Sequence, residues 1–266
     1  MVNKLDIITA LREQVQTFKA QAHAENVGTV LTVVAGVVTC SGLAGVKQFE
    51  VVDFGPGLTG LVVGLAEEYV TVVVLGTADG IKAGDTVRQS GAGLSLPVSE
   101  SLWGRVVNVL GQPVDGLGEI LAAQTEPITL KPDSSLSCQR LQVEKSYAAA
   151  EVLRVVQEGK TQGLKSVVVT IGERTASLAQ LKGALEAAGC LQETLLVVAG
   201  AAEPVALRYL APFSAEAVTR YLLRLDDKLQ LVFVDLAAHT LVSQSWQQLL
   251  GAGAVEPVTS AQLFLD

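Results

Sequence analysis

The stretch Trp103 to Gly118, WGRVVNVLGQPVDGLG, is where the sequence changes character. Its glycines and Pro113 mark successive tight turns. Arg105, Asn108 and Asp115 are polar side chains able to satisfy backbone groups where two layers of structure meet. Taken on composition alone, the stretch is a hairpin between two domains.

Upstream, from Glu25 to Pro97, the apolar residues come in short β-branched runs separated by glycine turns: VGTVLTVVAGVVTCSG, QFEVVDFG, LTGLVVGLAEEYVTVVVLG and DTVRQSGAGLSLPV. They fit about six strands, and a small antiparallel barrel would close the edges that such strands expose. Further upstream, Leu5, Ile8, Leu11, Val15, Phe18 and Ala22 recur at spacings of three and four, predicting a helix over Val2 to Ala22 with one apolar stripe. That stripe needs a partner, either its own domain or another subunit.

Downstream, Ile120 to Asp133 is an extended, proline-marked passage containing Glu126-Pro127. A helix is predicted over Val143 to Gln157, then a buried strand over Ser166 to Gly172 (SVVVTIG). A helix over Ala176 to Ala188 stops at Gly189, and a second buried strand covers Thr194 to Gly200. Helices over Pro204 to Tyr209 and Ala215 to Leu225, a strand over Gln230 to Asp235 and a helix around Val242 to Leu250 complete the pattern. Strand and helix alternating at this spacing predict a parallel α/β sheet.

A chain of 266 residues accommodates one large domain or two modest ones. With 49% hydrophobic and only 17% charged residues it is globular rather than disordered. The formal charge of −8 argues against nucleic acid or an anionic membrane as partner. Cys40, Cys138 and Cys190 lack any CxxC spacing and read as small buried hydrophobes in a reducing compartment. His23 and His239 are too few to suggest a metal site. No apolar run reaches membrane-spanning length, and Asp6, Arg12 and Glu13 stand where a signal peptide would be apolar. These features predict a cytoplasmic protein without membrane insertion.

The hinge string closely resembles the junction of barrel and nucleotide domain in α subunits of rotary (F-type) ATP synthases, which is similar to LGRVVDALGNPIDGKG. The barrel strings resemble the same family at Gly28-Thr29-Val30, Gly42 to Val46, Gly57 to Gly76 and Lys82 to Gly91. RYLAPFS, Arg208 to Ser214, is similar to the family's QYLAPYS. The resemblance implies an N-terminal helix over 1–24, a six-stranded β-barrel over 25–97 and a truncated RecA-like parallel α/β domain over 98–266. It also implies partners that are protein subunits, either further copies or other synthase subunits, at the periphery of a membrane complex. Arg208, Tyr209, Leu210, Ala211, Pro212 and Phe213 would then belong to a subunit interface. For the N-terminal helix, it favours docking on another subunit.

A nucleotide site in this family needs G-x-x-x-x-G-K-[ST], in which glycines let backbone N–H groups close around phosphates while the hydroxyl holds Mg²⁺. Lys145 and Ser146 lie where the family has its Lys-Thr pair, but Gln139 and Glu144 occupy the glycine positions. The run from Gly118 to Lys145 is also short, leaving little room for the strand that should precede the loop. Gly159-Lys160-Thr161 lacks the upstream glycine, with Arg154 in its place, and follows a helix instead of a strand, as in a solvated loop. Asp235 matches the family's Mg²⁺-orienting carboxylate, or else caps the turn after its strand. Glu173, in IGERT, resembles the general base of the catalytic-type subunits, or else pairs with Arg174 or caps a turn. AQLFLD, Ala261 to Asp266, corresponds to the strand before the arginine that an α subunit lends its neighbour.

Function is then open to three interpretations. The first is a non-catalytic, α-subunit-like protein acting through subunit contacts, with no bound ATP, ADP or Mg²⁺ expected. The second is a nucleotide hydrolase with an unconventional phosphate loop, using Glu173, Lys145, Ser146 and Asp235. The third is a stand-alone interaction module outside the ring. The first accounts for the barrel, the hinge and YLAPFS together.

Overall fold

The computed structural model describes residues 26–250 except 132, 134, 135 and 145–147. The helix expected over Val2 to Ala22 and the closing AQLFLD lie outside the described residues.

Six antiparallel strands form a closed barrel: β1 (Val27–Val34), β2 (Val37–Ser41), β3 (Glu50–Gly55), β4 (Leu58–Leu65), β5 (Val70–Val74) and β6 (Thr86–Gly93), in the order β1-β2-β5-β4-β3-β6. Val30, Val38, Cys40, Val52, Val62, Val72, Val74 and Val87 fill its interior. The next residues along β4 and β5 point outward, and Leu61, Val63, Val73 and Leu75 are also buried, in a core shared with the second half of the chain. Burial on both faces explains why LVV of β4 and VVV of β5 are unbroken apolar runs while β1 alternates. At Gly28 the strands pass so closely that a Cβ would lie 2.4 Å from the Ser41 carbonyl oxygen.

Beyond the barrel come β7 (Ser95–Val98), β8 (Val106–Asn108) and β9 (Gln124–Pro127), with β7 and β9 forming a two-stranded antiparallel sheet. β8 instead joins a five-stranded parallel sheet made with β10 (Gln139–Val143), β11 (Lys165–Glu173), β12 (Thr194–Gly200) and β13 (Leu229–Val234), in the order β10-β13-β11-β12-β8. Helices α1 (Ala148–Thr161) and α2 (Thr175–Ala187) cover one face, where Val152, Val156, Leu181 and Leu185 meet Val168, Leu196 and Val232. Helices α3 (Val205–Leu223) and α4 (Leu236–Leu250) cover the other, packing Leu210, Phe213 and Trp246 on Val167, Val169 and Phe233. The chain is thus a β-barrel followed by a parallel α/β domain.

Three local expectations are corrected. Val143 ends a strand instead of starting a helix, because Leu141 and Val143 register against Val232 and Val234 of β13. The strand expected to be missing before the loop is therefore present as β10. The two helices expected over Pro204 to Tyr209 and Ala215 to Leu225 are one, with Pro212 inside it. An internal proline costs about 3 kcal/mol. Burial of the surrounding residues offsets that cost: Tyr209, Leu210, Ala211, Phe213 and Ala215 are each at most 2% exposed. The last helix starts at Leu236, directly after β13, not near Val242.

Arg105 and Asp115 lock the hinge. Arg105 donates from Nε to Asp115 Oδ2 (2.7 Å), from Nη2 to Oδ1 (2.9 Å) and to the Gly118 carbonyl (2.6 Å). The same carboxylate accepts the N–H groups of Val106 and Leu117, each at 3.0 Å. Asn108 Oδ1 likewise accepts from Leu110 and Gln112. The polar residues of the hinge thus satisfy its own backbone. Further on, Arg220 pairs with Asp133 (2.6 Å) and with Glu126, which Arg224 also contacts, tying the extended passage to α3. Arg140 reaches Glu216 at 3.5 Å, and the Asp133 N–H donates to the other oxygen of that carboxylate.

Two stability measurements follow from these pairs. The Asp115 side chain is fully buried, so Asp115→Ala, which strands Arg105 and two N–H groups, is expected to cost about 3 kcal/mol in urea unfolding at pH 7. The Arg105 guanidinium holds the Asp115 carboxyl well below the usual carboxylate range. The stabilisation is therefore complete above about pH 4 and falls away on acidification, a loss that Asp115→Asn should no longer show. Glu216 has the opposite sign, because burial pushes its carboxyl up to about 7. Between about pH 4.5 and 7 the native state holds a proton that the unfolded chain releases, so stability declines as pH rises. Glu216→Gln should flatten that decline in the same titration.

Candidate functional site at the carboxyl edge of the sheet

In open parallel sheets, ligands bind beyond the carboxyl ends of the strands. Here that edge carries Glu144 after β10, Glu173 at the end of β11, Gly200 at the end of β12 and Asp235 after β13. A bulge places Glu173: Ile171 pairs with Ala199 and Glu173 with Gly200, leaving Gly172 extra, at φ +73°. Such a bulge, with glycine in the left-handed region, re-aims the next side chain. Glu173 is only 5% exposed, and its Oε1 is buried without a hydrogen-bond partner. It neither caps a turn nor pairs with Arg174 through that oxygen.

Beside it, the Ala201 N–H donates to the Glu173 carbonyl at 2.9 Å, leading into the turn before α3. In that turn Glu203 Oε2 is another buried oxygen without a partner, and in the first turn of α3 Arg208 Nε is a buried nitrogen without one. Burial pushes the Glu203 carboxyl up, against the opposing influence of Gly200 backbone and the Arg208 guanidinium. The corner between β11, β12 and α3 therefore gathers buried polar atoms of Glu173, Glu203 and Arg208 that have no hydrogen-bond partner. Among the described residues, no cluster of three His, Cys, Asp or Glu side chains is placed to hold a metal ion.

Asp235 has a structural position. It sits at φ +57°, its N–H donates to the Val143 carbonyl, and its Oδ1 accepts from the Ala238 N–H at 3.2 Å, at the start of α4. Lys145 and Ser146 lie outside the described residues. The sequence from Glu144 to Tyr147 contains no glycine. Gly159-Lys160-Thr161 closes α1: Lys160 donates to the Gly189 carbonyl and pairs with Glu193, and Thr161 bonds Glu158 O. Gly159 is needed because a Cβ there would meet buried Gln230 at 2.2 Å.

The segment expected at a subunit interface, Arg208 to Phe213, runs along α3. Tyr209, Leu210, Ala211, Pro212 and Phe213 are buried in the core of this chain, and Arg208 alone keeps partial exposure. His239, which the sequence left without a role, is buried against that segment. Its ring stacks on Tyr209 (centroids 5.5 Å apart), Tyr209 stacks on Trp246 (4.6 Å), and Nε2 lies 3.2 Å from the Tyr209 carbonyl. Burial pushes His239 down to about 4, so the ring is neutral at pH 7. Nothing in an isolated histidine of the sequence signals this stack.

Two comparisons with protein families bear on this geometry. Residues 24–91 match the ATP synthase alpha/beta family, beta-barrel domain. Residues 140–256 match the ATP synthase alpha/beta family, nucleotide-binding domain. None of the described helices is long and apolar enough to cross a membrane.

The left-handed backbone at Asp235 sets up a reversal of the usual ranking of substitutions. Asp235→Ala loses the cap and keeps the strain, at an expected cost of about 1–2 kcal/mol. Asp235→Gly relieves the strain and should be the milder of the two by thermal unfolding.

Proposed function

Because the chain belongs to the ATP synthase alpha/beta family, we propose that it is a non-catalytic, α-subunit-like member of the F-type branch, acting in the cytoplasm through contacts with other protein subunits. One observation carries this reading. β10 ends at Val143, and the sequence from there to Ala148, the first described residue of α1, is EKSY, which contains no glycine. A phosphate cradle needs several successive backbone N–H groups turned inward, which glycines permit. Glu144 adds a negative charge at the same place. The parts of the fold that do no chemistry, the closed barrel and the Arg105–Asp115 hinge, are fully formed.

A second reading is favoured by one feature. Glu173 is buried at the sheet edge with an unpartnered oxygen, as a general base awaiting water would be. That reading makes the chain a nucleotide hydrolase with an unusual loop.

Calorimetry separates the two. Titration with MgATP is expected to give no binding at micromolar concentration, and phosphate release should stay at background. Micromolar binding, or release that Glu173→Gln abolishes, would overturn the non-catalytic reading. Affinity capture from source cells is expected to recover synthase subunits or further copies of the chain, identified by mass spectrometry.

A further inference from the structure

Glu216, on α3, is a buried acid that neither the hinge nor the carboxyl edge uses. It is 1% exposed, and its Oε1 has no hydrogen-bond partner among the described residues. Arg140 Nη2 stands 3.5 Å from that oxygen, and Oε2 accepts the Asp133 N–H at 3.2 Å. The charged and titratable groups that face it are Arg140 on β10, Asp133 and Cys138 in the chain leading to β10, and Arg220 one turn further along α3. Glu126 and Arg224 stand behind these, Glu126 against both Arg220 and Arg224. Burial is the largest influence on the Glu216 carboxyl and pushes it up to about 7, against Arg140, the Asp133 N–H and Arg220.

What covers Glu216 is lightly held. β10 is an edge strand that pairs, among the described strands, with β13 alone. Gln139 to Gln142 are exposed or half-buried, and only Val143 of this strand is buried. Segments with few buried apolar contacts open locally at a lower free energy than the core does. Arg140 Nη2 also donates to the Asp133 carbonyl, so the two groups that cover Glu216 are tied to each other and to β10. A buried carboxylate needs several strong donors. This one has a single backbone N–H and a guanidinium that it contacts without a hydrogen bond. Lifting β10 would admit water to it. The far end of the strand meets the carboxyl edge of the sheet, where the Val143 carbonyl accepts the Asp235 N–H and Glu144 follows.

We propose that Glu216 is a proton-operated latch on β10, holding the strand on β13 while its carboxyl is neutral and easing its release, together with the Asp235 turn, once that carboxyl ionises. The proton is exchanged with solvent, so the device needs no ligand and holds whether or not the chain binds nucleotide. Its sign follows from linkage. The closed strand keeps a proton that the open one, with Glu216 hydrated, gives up, so opening is favoured as pH rises from the ordinary glutamate range to about 7 and levels off above it. The order of the carboxyl edge is thereby tied to pH near neutrality.

Hydrogen exchange on the full chain tests the latch. With the intrinsic chemical rate divided out, the opening equilibrium of the β10 amides is expected to rise roughly 25-fold from pH 5.5 to 8. The amides of β11 and β12 should stay more strongly protected than those of β10 at every pH. In Glu216→Gln the rise should vanish, leaving β10 as well protected at pH 8 as at pH 5.5. A second measurement needs no variant: the carbon-13 signal of the Glu216 carboxyl is expected to titrate with a midpoint of about 7. A midpoint in the ordinary carboxylate range, a rise that persists in Glu216→Gln, or β10 amides that exchange no sooner than those of β11 would overturn the proposal.

Discussion

The carboxylate of Asp115 is the contact that fixes the hinge through which the chain enters the parallel sheet. It is fully buried, takes both arms of the Arg105 guanidinium, and caps two backbone N–H groups on either side of a turn. β8 begins one residue after Arg105 and forms the edge of the parallel sheet, so the pair sets the angle at which the chain leaves the barrel region and enters that sheet. Few side chains could replace it. A neutral isostere keeps the shape but loses the charge-assisted bonds, which are about twice as strong as neutral ones.

Much of the architecture was legible before any coordinates. Short β-branched runs between glycine turns gave the barrel, and unbroken runs such as SVVVTIG and TLLVVAG gave the buried parallel strands. What escaped did so for physical reasons. QRLQV is short and only partly apolar, and its strand character comes from pairing with β13, a partner over eighty residues away in the sequence. Pro212 broke a helix on propensity, yet core packing on both sides of it keeps α3 continuous. The candidate site was legible residue by residue but not as a place. Glu173 and Asp235 could be named from motifs. The bulge at Gly172 that aims one, the left-handed backbone that turns the other into a cap, and the company of Glu203 and Arg208 appear only in three dimensions.

The carboxyl edge brings together the ends of four parallel strands, the carboxylates of Glu173 and Asp235, and Glu144 in a stretch of sequence without glycine. Scaffold residues are tied into cores shared by many neighbours, so their loss would unfold the chain. A loop at the sheet edge has few such ties and can be shortened with little effect on stability. The YLAPF segment illustrates the first case: Tyr209 stacks with His239 and Trp246 inside the chain, and Phe213 packs tilted against Tyr209.

Leu61, Val63, Val73 and Leu75 face away from the barrel interior and belong to the same apolar cluster as α3 and the parallel strands. A barrel on a bare tether would swivel; this one is mortared to its neighbour along two of its staves. Tilting it would tear open a water-free seam, so forces applied to the crown of the molecule would be handed to the sheet undamped. The chain is built as a stiff bracket, and whatever grips one end of it takes hold of the other.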